Sequence, residues 1–178
     1  MDEHMVWIDL EMTGLDIESC SIIEIATIIT DSDLNIIATG PNLAIQTSED
    51  DLAAMDEWNT THHNASGLVA RIRKSQHSIA DAEMETLEFV RKYVAEGKAP
   101  LCGNSIWCDR KFIERQMPEL AAYLHYRMVD VSSFKEMAKR WYPSLPRYEK
   151  KGSHLALDDI LESIEELRYF REKIFIQD

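Results

Sequence analysis

The sequence predicts an α/β fold in which a mixed central β-sheet, with its first three strands antiparallel, is flanked by helices. Three segments rich in β-branched residues open the chain and are separated by turn residues. After residue 48, segments of helical periodicity alternate with short strand-like segments. The chain has 178 residues and no internal repeat or linker-like segment, so we expect a single domain spanning residues 1–178.

Each element is predicted from its periodicity and from the residues that begin or end it. The predicted strands are 6–11, 21–30, 34–39, a separate short piece at 43–46 beyond Gly40 and Pro41, 99–103, and a buried strand at 126–131. Four predicted helices are 55–63, 66–74, 79–95, which Gly97 stops, and 155–173. A fifth is capped by Asn104 and Ser105 and ends near 117, and a short sixth begins at Pro118. The seventh is capped by Ser132 and Ser133 and ends at 141.

Composition and charge limit the classes of function. A formal net charge of −13 disfavours a protein that coats long nucleic acids. It still allows a ligand with one or two phosphates, held by metal ions, a few cations and backbone amides. No apolar run is long enough to cross a membrane and no signal-peptide pattern is present, so we expect a cytoplasmic protein. The three cysteines have neither zinc-ligand spacing nor a disulfide pattern.

Two acidic residues lie on one face of the first predicted strand. Asp9 and Glu11 alternate with Val6, Ile8 and Leu10, so their carboxylates project from the same face about 7 Å apart. Carboxylates this close repel each other, and a hard divalent cation between them makes the arrangement favourable. The alternative is a half-solvated edge strand with its acidic residues facing outward.

A third carboxylate is predicted on the inward face of a helix. Asp109 falls within the apolar stripe of Ile106, Phe112, Ile113 and Met117. Burying a carboxylate there is costly unless it is paired or bound to a metal ion. The alternative is a buried ion pair between Asp109 and an arginine elsewhere.

The last acidic candidate lies near the start of the C-terminal helix. Asp159 falls at the edge of that helix's core face, whereas Asp158 falls on an acidic, solvated face. His154 precedes Asp159 by five residues, about 140° of rotation on a helix, so we expect His154 on the preceding loop or first turn. Taken alone, a histidine at this place is more often an ordinary surface residue.

Together these residues supply what two-metal phosphoryl chemistry needs. Carboxylates hold two cations roughly 3.5–4 Å apart, which stabilise the attacking hydroxide and the leaving oxygen. A histidine then accepts the proton of the attacking water. Asp9, Glu11, Asp109 and Asp159 are the candidate ligands and His154 is the candidate base.

The segments that carry these residues resemble the three exonuclease motifs of the DEDDh family, which has a ribonuclease H-like fold. They are WIDLEMTGLD with Asp9 and Glu11, GNSIWCDRKF with Asp109, and HLALDDI with His154 and Asp159. Further segments extend the resemblance to the oligoribonucleases over nearly the whole chain: MDEWN, ASGL, CGNSI, HYR, DVSSFKE and DDILESIEEL.

This resemblance implies a 3′→5′ exoribonuclease that cuts very short oligoribonucleotides, chiefly dinucleotides, to nucleoside 5′-monophosphates in the last step of RNA decay. It implies two Mg2+ or Mn2+ ions held by the four carboxylates, His154 as general base, and a homodimer. Leu15 would wedge against the bases, and Trp58 would stack near the 3′ end. Without the family, Trp58 is as readily interpreted as a core aromatic residue.

The resemblance also implies a cap that binds the 5′ phosphate and so selects short substrates. Ser105 would contribute to it from one subunit, and Arg127, Ser132 and Ser133 would reach in from the partner subunit. Tyr126 would lie beside the active site as a further catalytic candidate. Without the family, Tyr126 and Arg127 are ordinary strand residues, although arginine suits bidentate phosphate binding.

Three other functions compete with this interpretation. A related exonuclease acting on longer DNA or RNA is disfavoured because the chain has no basic tract and no further domain. A catalytically silent binding protein would be expected to lack one of the acidic ligands, yet all are present. A structural protein is the weakest candidate, because inward carboxylates cost stability without a ligand.

Overall fold

A five-stranded mixed sheet forms the centre of the protein in the computed structural model, which describes residues 3–149 and 155–175. The strands lie in the order β3-β2-β1-β4-β5, and they are β1 (Met5–Met12), β2 (Ile22–Thr30), β3 (Ile36–Ala44), β4 (Leu101–Gly103) and β5 (Met128–Asp130). The β1–β2 and β2–β3 pairs are antiparallel, and the β1–β4 and β4–β5 pairs are parallel. The predicted mixed sheet with three antiparallel opening strands is confirmed.

Helices cover both faces of the sheet. Within the described ranges they are α1 (Glu49–Ala53), α2 (Glu57–Ala65), α3 (Leu68–Lys74), α4 (Ile79–Arg91), α5 (Trp107–Gln116), α6 (Pro118–Tyr123), α7 (Val131–Trp141) and α8 (Ala156–Ile174). One core contains Val6, Ile8 and Leu10 of β1 together with α4, α5 and α6. The other contains Trp7 of β1 together with α7 and α8. Because strand side chains alternate, Asp9 and Glu11 share the face of Trp7, which α8 covers.

The third strand differs from its prediction. The sequence predicts two pieces separated by Gly40 and Pro41, but β3 continues through both residues. A proline is tolerated there because β3 is an edge strand that pairs only with β2. A Cβ atom on Gly40 would lie 2.4 Å from the Phe89 ring of α4, so glycine allows the helix to pack closely on the strand.

Several predicted helix boundaries are also wrong, for local reasons. The structure has a short helix α1, capped by Ser48, that the sequence interpretation missed. Helix α4 ends at Arg91, well before Gly97. The caps of two helices differ as well: Ile106 precedes α5 without a side-chain cap, and Asp130, not a serine, caps α7.

The predicted buried strand at 126–131 is short and largely accessible. It comprises only the three residues of β5 at the sheet edge, and the preceding Tyr126 is 72% exposed. Among the described helices, none has the length and apolar character needed to span a membrane.

Candidate active site

Three of the predicted ligands meet at one end of β1. Asp9 and Glu11 of β1 and Asp159 of α8 each offer a carboxylate oxygen, and these oxygens all lie within 4.8 Å of one another. All three residues are partly buried. We call these three residues the acidic cluster.

The first turn of α8 carries the third member of this cluster. The Asp159 backbone amide donates to the Leu155 carbonyl at 3.0 Å, which closes the first turn of the helix. Since α8 packs on the face of β1 that carries Asp9 and Glu11, the side chain of Asp159 reaches them. Asp158, one residue earlier, is outside the acidic cluster.

Asp109 reaches the same region from α5 on the other side of β1. Strand β4 pairs with β1 only at Val6 and Trp7. Farther along β1, the amide of Leu10 donates to Asp109 Oδ1 at 3.0 Å. Among the described residues Asp109 has no ion pair with an arginine, so that alternative is wrong: its carboxylate accepts from the Leu10 amide, and the neighbouring Arg110 pairs with Glu114.

The electrostatics of the site fit a bound divalent cation. Burial, followed by the charges of Asp159, Glu24 and Asp109, raises the pKa of Glu11 from 4.5 to about 8. Burial likewise raises the pKa of Asp109 to about 7, opposed by the hydrogen bond from Leu10. Clustered oxygen ligands with suppressed ionisation suit hard cations such as Mg2+ or Mn2+, which relieve the repulsion between carboxylates.

Sequence reasoning missed a buried histidine beside this cluster. His63 of α2 is 1% exposed, and its Nε2 atom lies 3.1 Å from the Met12 carbonyl. Its Nδ1 atom lies 3.9 Å from Glu11 Oε2 and has no hydrogen-bond partner in the described part of the chain. Burial lowers the pKa of His63, which favours the neutral ring. Its pairing with β1 is long-range, so the only signal in the sequence was the histidine pair His62 and His63 in a polar helix.

Sequence reasoning also missed a buried carboxylate in strand β2. Glu24 of β2 is fully buried and pairs with Arg71 of α3. The signal was available, since a single charge inside an otherwise apolar buried strand requires a partner.

Two exposed apolar side chains predicted to bind substrate lie on different elements. Leu15 follows β1 and is 77% exposed. Trp58 of α2 is 55% exposed, and its ring stacks on His62 with a centroid separation of 3.9 Å. The interpretation of Trp58 as a core residue is therefore wrong.

Two serines predicted to belong to a phosphate cap meet within one chain. The hydroxyls of Ser105 and Ser132 lie 3.2 Å apart, and the Ser105 amide donates to Ser132 Oγ at 2.9 Å. Ser105 has a left-handed backbone with φ of 50°, and its amide also donates to Asp130 Oδ1 at 2.9 Å. These two serines therefore lie together within one chain, and the predicted division of the phosphate cap between two subunits stays a prediction.

The remaining predicted residues are placed as follows. Tyr126 stacks on His125, and the Arg127 guanidinium lies 5.4 Å from the centroid of the Tyr126 ring. Ser133 is exposed in the first turn of α7. His154, the predicted general base, lies outside the described residues.

Comparisons with known proteins agree with this geometry. The RNase_T family model, described as an exonuclease, matches residues 6–167. An oligoribonuclease from Vibrio cholerae is 58% identical over 175 residues, which cover 98% of this chain and 97% of that protein. An oligoribonuclease from Hydrogenovibrio crunogenus is 55% identical over 176 residues, covering 98% of this chain and 96% of that protein.

The fold also resembles that of a larger enzyme. Exonuclease I of E. coli, solved as a complex with single-stranded DNA, superposes with a TM-score of 0.74 at 14% sequence identity. The match covers 97% of this chain but only 40% of the exonuclease I chain. The chain therefore belongs to the exonuclease family with the ribonuclease H-like fold and, within that family, to the oligoribonucleases.

Proposed function

We propose that this protein is a 3′→5′ exoribonuclease that degrades very short RNA, chiefly dinucleotides, to nucleoside 5′-monophosphates. The observation that carries the proposal is the convergence of Asp9, Glu11 and Asp159 at the end of β1 in a chain of the oligoribonuclease family. Relatives of similar length are named oligoribonucleases, which supports RNA as the polymer.

The ligand set would hold two Mg2+ or Mn2+ ions. Asp9, Glu11 and Asp159 are the ligands supported by their mutual proximity, and Asp109 is supported by the hydrogen bond from Leu10, which holds its carboxylate against the strand of Asp9 and Glu11. When bound, the cations would polarise the scissile phosphate and supply a hydroxide nucleophile near neutral pH.

His154 would act as the general base. In the sequence it stands two residues before Ala156, the first residue of α8, and five before Asp159. A neutral imidazole at this place would accept the proton of the attacking water. The four carboxylates would stay bound to the cations while His154 takes up this proton.

The substrate would be held at its bases and at its 5′ phosphate. Leu15 and Trp58 offer exposed apolar surfaces suited to contact and stack on bases. The hydroxyl of Ser105 offers a donor for a terminal phosphate, and Ser132 lies 3.2 Å from it with its own hydroxyl donating to Asn104 Oδ1 at 3.1 Å. Arg127 and Ser133 would supplement them, and Tyr126 would lie beside the reacting phosphate. Recognition of a terminal phosphate lets a chain of net charge −13 bind RNA without a broad basic surface.

We further propose that the protein works as a homodimer. Tyr126 and Met128 are exposed beside β5, the edge strand of the sheet. An exposed aromatic residue next to an unpaired strand edge is the kind of surface that a second copy covers. Such packing would enclose the 5′ end of the substrate and limit its length.

The test compares a 5′-phosphorylated diribonucleotide with a long single-stranded RNA, each with Mg2+, Mn2+ or EDTA. We expect metal-dependent release of mononucleotides, with the diribonucleotide strongly preferred. Asp159→Asn should abolish cleavage because it removes a charged ligand, whereas the adjacent Asp158→Asn, outside the acidic cluster, serves as the matched control. Rapid cleavage of the long RNA alone would contradict the substrate proposal, and binding without any cleavage would indicate a silent binding protein.

A further inference from the structure

The interior strand β2 contains a charged side chain that is completely shielded from water. Glu24 is 0% exposed and lies directly opposite Glu11 in the β1–β2 ladder. A buried carboxylate this close to other carboxylates is unfavourable unless its oxygens are bound. Both oxygens of Glu24 have partners, on two different elements.

The first partner is an arginine from α3. Arg71 donates to Glu24 Oε1, and its other terminal nitrogen donates to Asn42 Oδ1 of β3 at 3.3 Å. The Arg71 side chain is 38% exposed, so it reaches inward from the protein surface. Two strands thereby fix the direction of the guanidinium and, through it, the carboxylate of Glu24.

The second partner is the start of α8. Glu24 Oε2 accepts a hydrogen bond from the amide of Ala156, the first residue of that helix, at 3.4 Å. Leu155 precedes the helix and makes no side-chain cap, and Ala156 is fully buried. The first amides of a helix require acceptors from outside the helix, so Glu24 provides from β2 what a local cap usually provides.

The segment held in this way carries a member of the acidic cluster. Asp159 lies three residues after Ala156, within the same first turn. Glu24 and Asp9 also lie on neighbouring strands of the sheet, so the contact ties α8 to the strands that carry the other cluster members. A shift of the helix start along the sheet would displace Asp159 relative to Asp9 and Glu11.

We infer that the Glu24–Arg71 pair is a positioning device for the active site: it anchors the N-terminus of α8 and thereby sets the place of Asp159 in the acidic cluster. This inference rests on the proposed metal-dependent function. Arg73 of the same helix α3 forms an exposed ion pair with Glu49 of α1, and in the described part of the chain neither residue has a hydrogen bond or ion pair with α8, so this pair provides the comparison.

The experiment compares Glu24→Gln, Arg71→Gln and their double variant, with Arg73→Gln as the matched control. Changes to residues that orient metal ligands typically reduce activity or metal affinity about 10- to 100-fold, and we expect a loss of kcat in that range for each single variant with little change in KM. The double variant should fall no further than the lower single variant, because both changes break one unit. Arg71→Lys should restore most of the activity.

Calorimetric Mn2+ binding separates positioning from simple charge. Glu24→Gln removes a negative charge and Arg71→Gln removes a positive one, so a purely electrostatic role would shift Mn2+ affinity in opposite directions. Loss of position should weaken Mn2+ binding in both variants. Opposite shifts would overturn the inference, as would lower thermal stability with unchanged kcat.

The wild-type protein distinguishes this inference from the proposed function. If the wild type neither binds Mn2+ nor cleaves the diribonucleotide, the proposed function fails and this inference fails with it. If the wild type does both and Arg71→Gln matches it, only the positioning role of the Glu24–Arg71 pair is overturned.

Discussion

Replacing Glu11 with glutamine is expected to inactivate the enzyme and at the same time to stabilise its metal-free fold. Loss of a charged ligand removes several kcal/mol of transition-state stabilisation, so kcat/KM should fall at least about a thousandfold. Because burial and neighbouring carboxylates raise the pKa of Glu11 to about 8, the folded state opposes its ionisation at pH 7. Glutamine has nearly the same shape and does not ionise, so the folded state no longer bears the free-energy cost of the shifted pKa. The substitution should add about 1–3 kcal/mol to the free energy of unfolding.

Diribonucleotide hydrolysis and denaturant unfolding in EDTA measure these two effects. Glu18→Gln is the matched control: Glu18 forms an exposed ion pair with Arg115, so its loss should leave both quantities nearly unchanged. An active Glu11→Gln protein would contradict the assignment of Glu11 as a ligand. An inactive and less stable protein would show that Glu11 supports the fold itself.

The metal-free protein is expected to lose stability as the pH rises from about 5 to about 8. The folded-state pKa of Glu11 is about 8, compared with an ordinary value of 4.5, so within this window the folded protein holds a proton that the unfolded chain releases. The raised pKa of Asp109, about 7, acts in the same direction, whereas the lowered pKa of His63 opposes both below its ordinary value of 6.5. When the unfolded state binds fewer protons, the free energy of unfolding falls with rising pH, here by a few kcal/mol.

Equilibrium unfolding at several pH values, with EDTA or with Mg2+, measures this dependence. Bound Mg2+ should flatten the profile, since it stabilises the ionised carboxylates of the folded state. In EDTA, Glu11→Gln should remove the contribution of Glu11 to the fall in the free energy of unfolding with pH. Exposed carboxyls with lowered pKa, such as Asp31 and Asp81, titrate below this window and do not mask the effect. A metal-free profile that rises or stays level from pH 5 to pH 8 would refute the expectation.

The site residues that can be predicted from the sequence are those whose placement depends on local periodicity. Two-residue alternation puts Asp9 and Glu11 on one face of β1, and helical periodicity distinguishes Asp159 from Asp158. Both are properties of neighbouring residues, so no knowledge of the rest of the fold is required. The mixed sheet follows from the order of such elements along the chain.

Long-range contacts explain what the sequence did not predict. Glu24 accepts hydrogen bonds from Arg71, 47 residues away in the sequence, and from the start of α8, 132 residues away. The contact of Ser105 with Ser132 depends on the parallel pairing of β4 with β5, which no local pattern encodes. The continuity of β3 through Gly40 and Pro41 depends on its place at the sheet edge and on the packing of Phe89.

The hydrogen bond from the Leu10 amide to Asp109 means that this carboxylate also stabilises the backbone of β1. Asp109 supplies an acceptor to a buried strand amide where β4 no longer pairs. Truncation to alanine would leave that amide without a partner, a penalty of about 1–3 kcal/mol that has nothing to do with catalysis. Asparagine keeps an oxygen for Leu10 while removing the charge, so comparing Asp109→Asn with Asp109→Ala separates support of the strand from support of the chemistry.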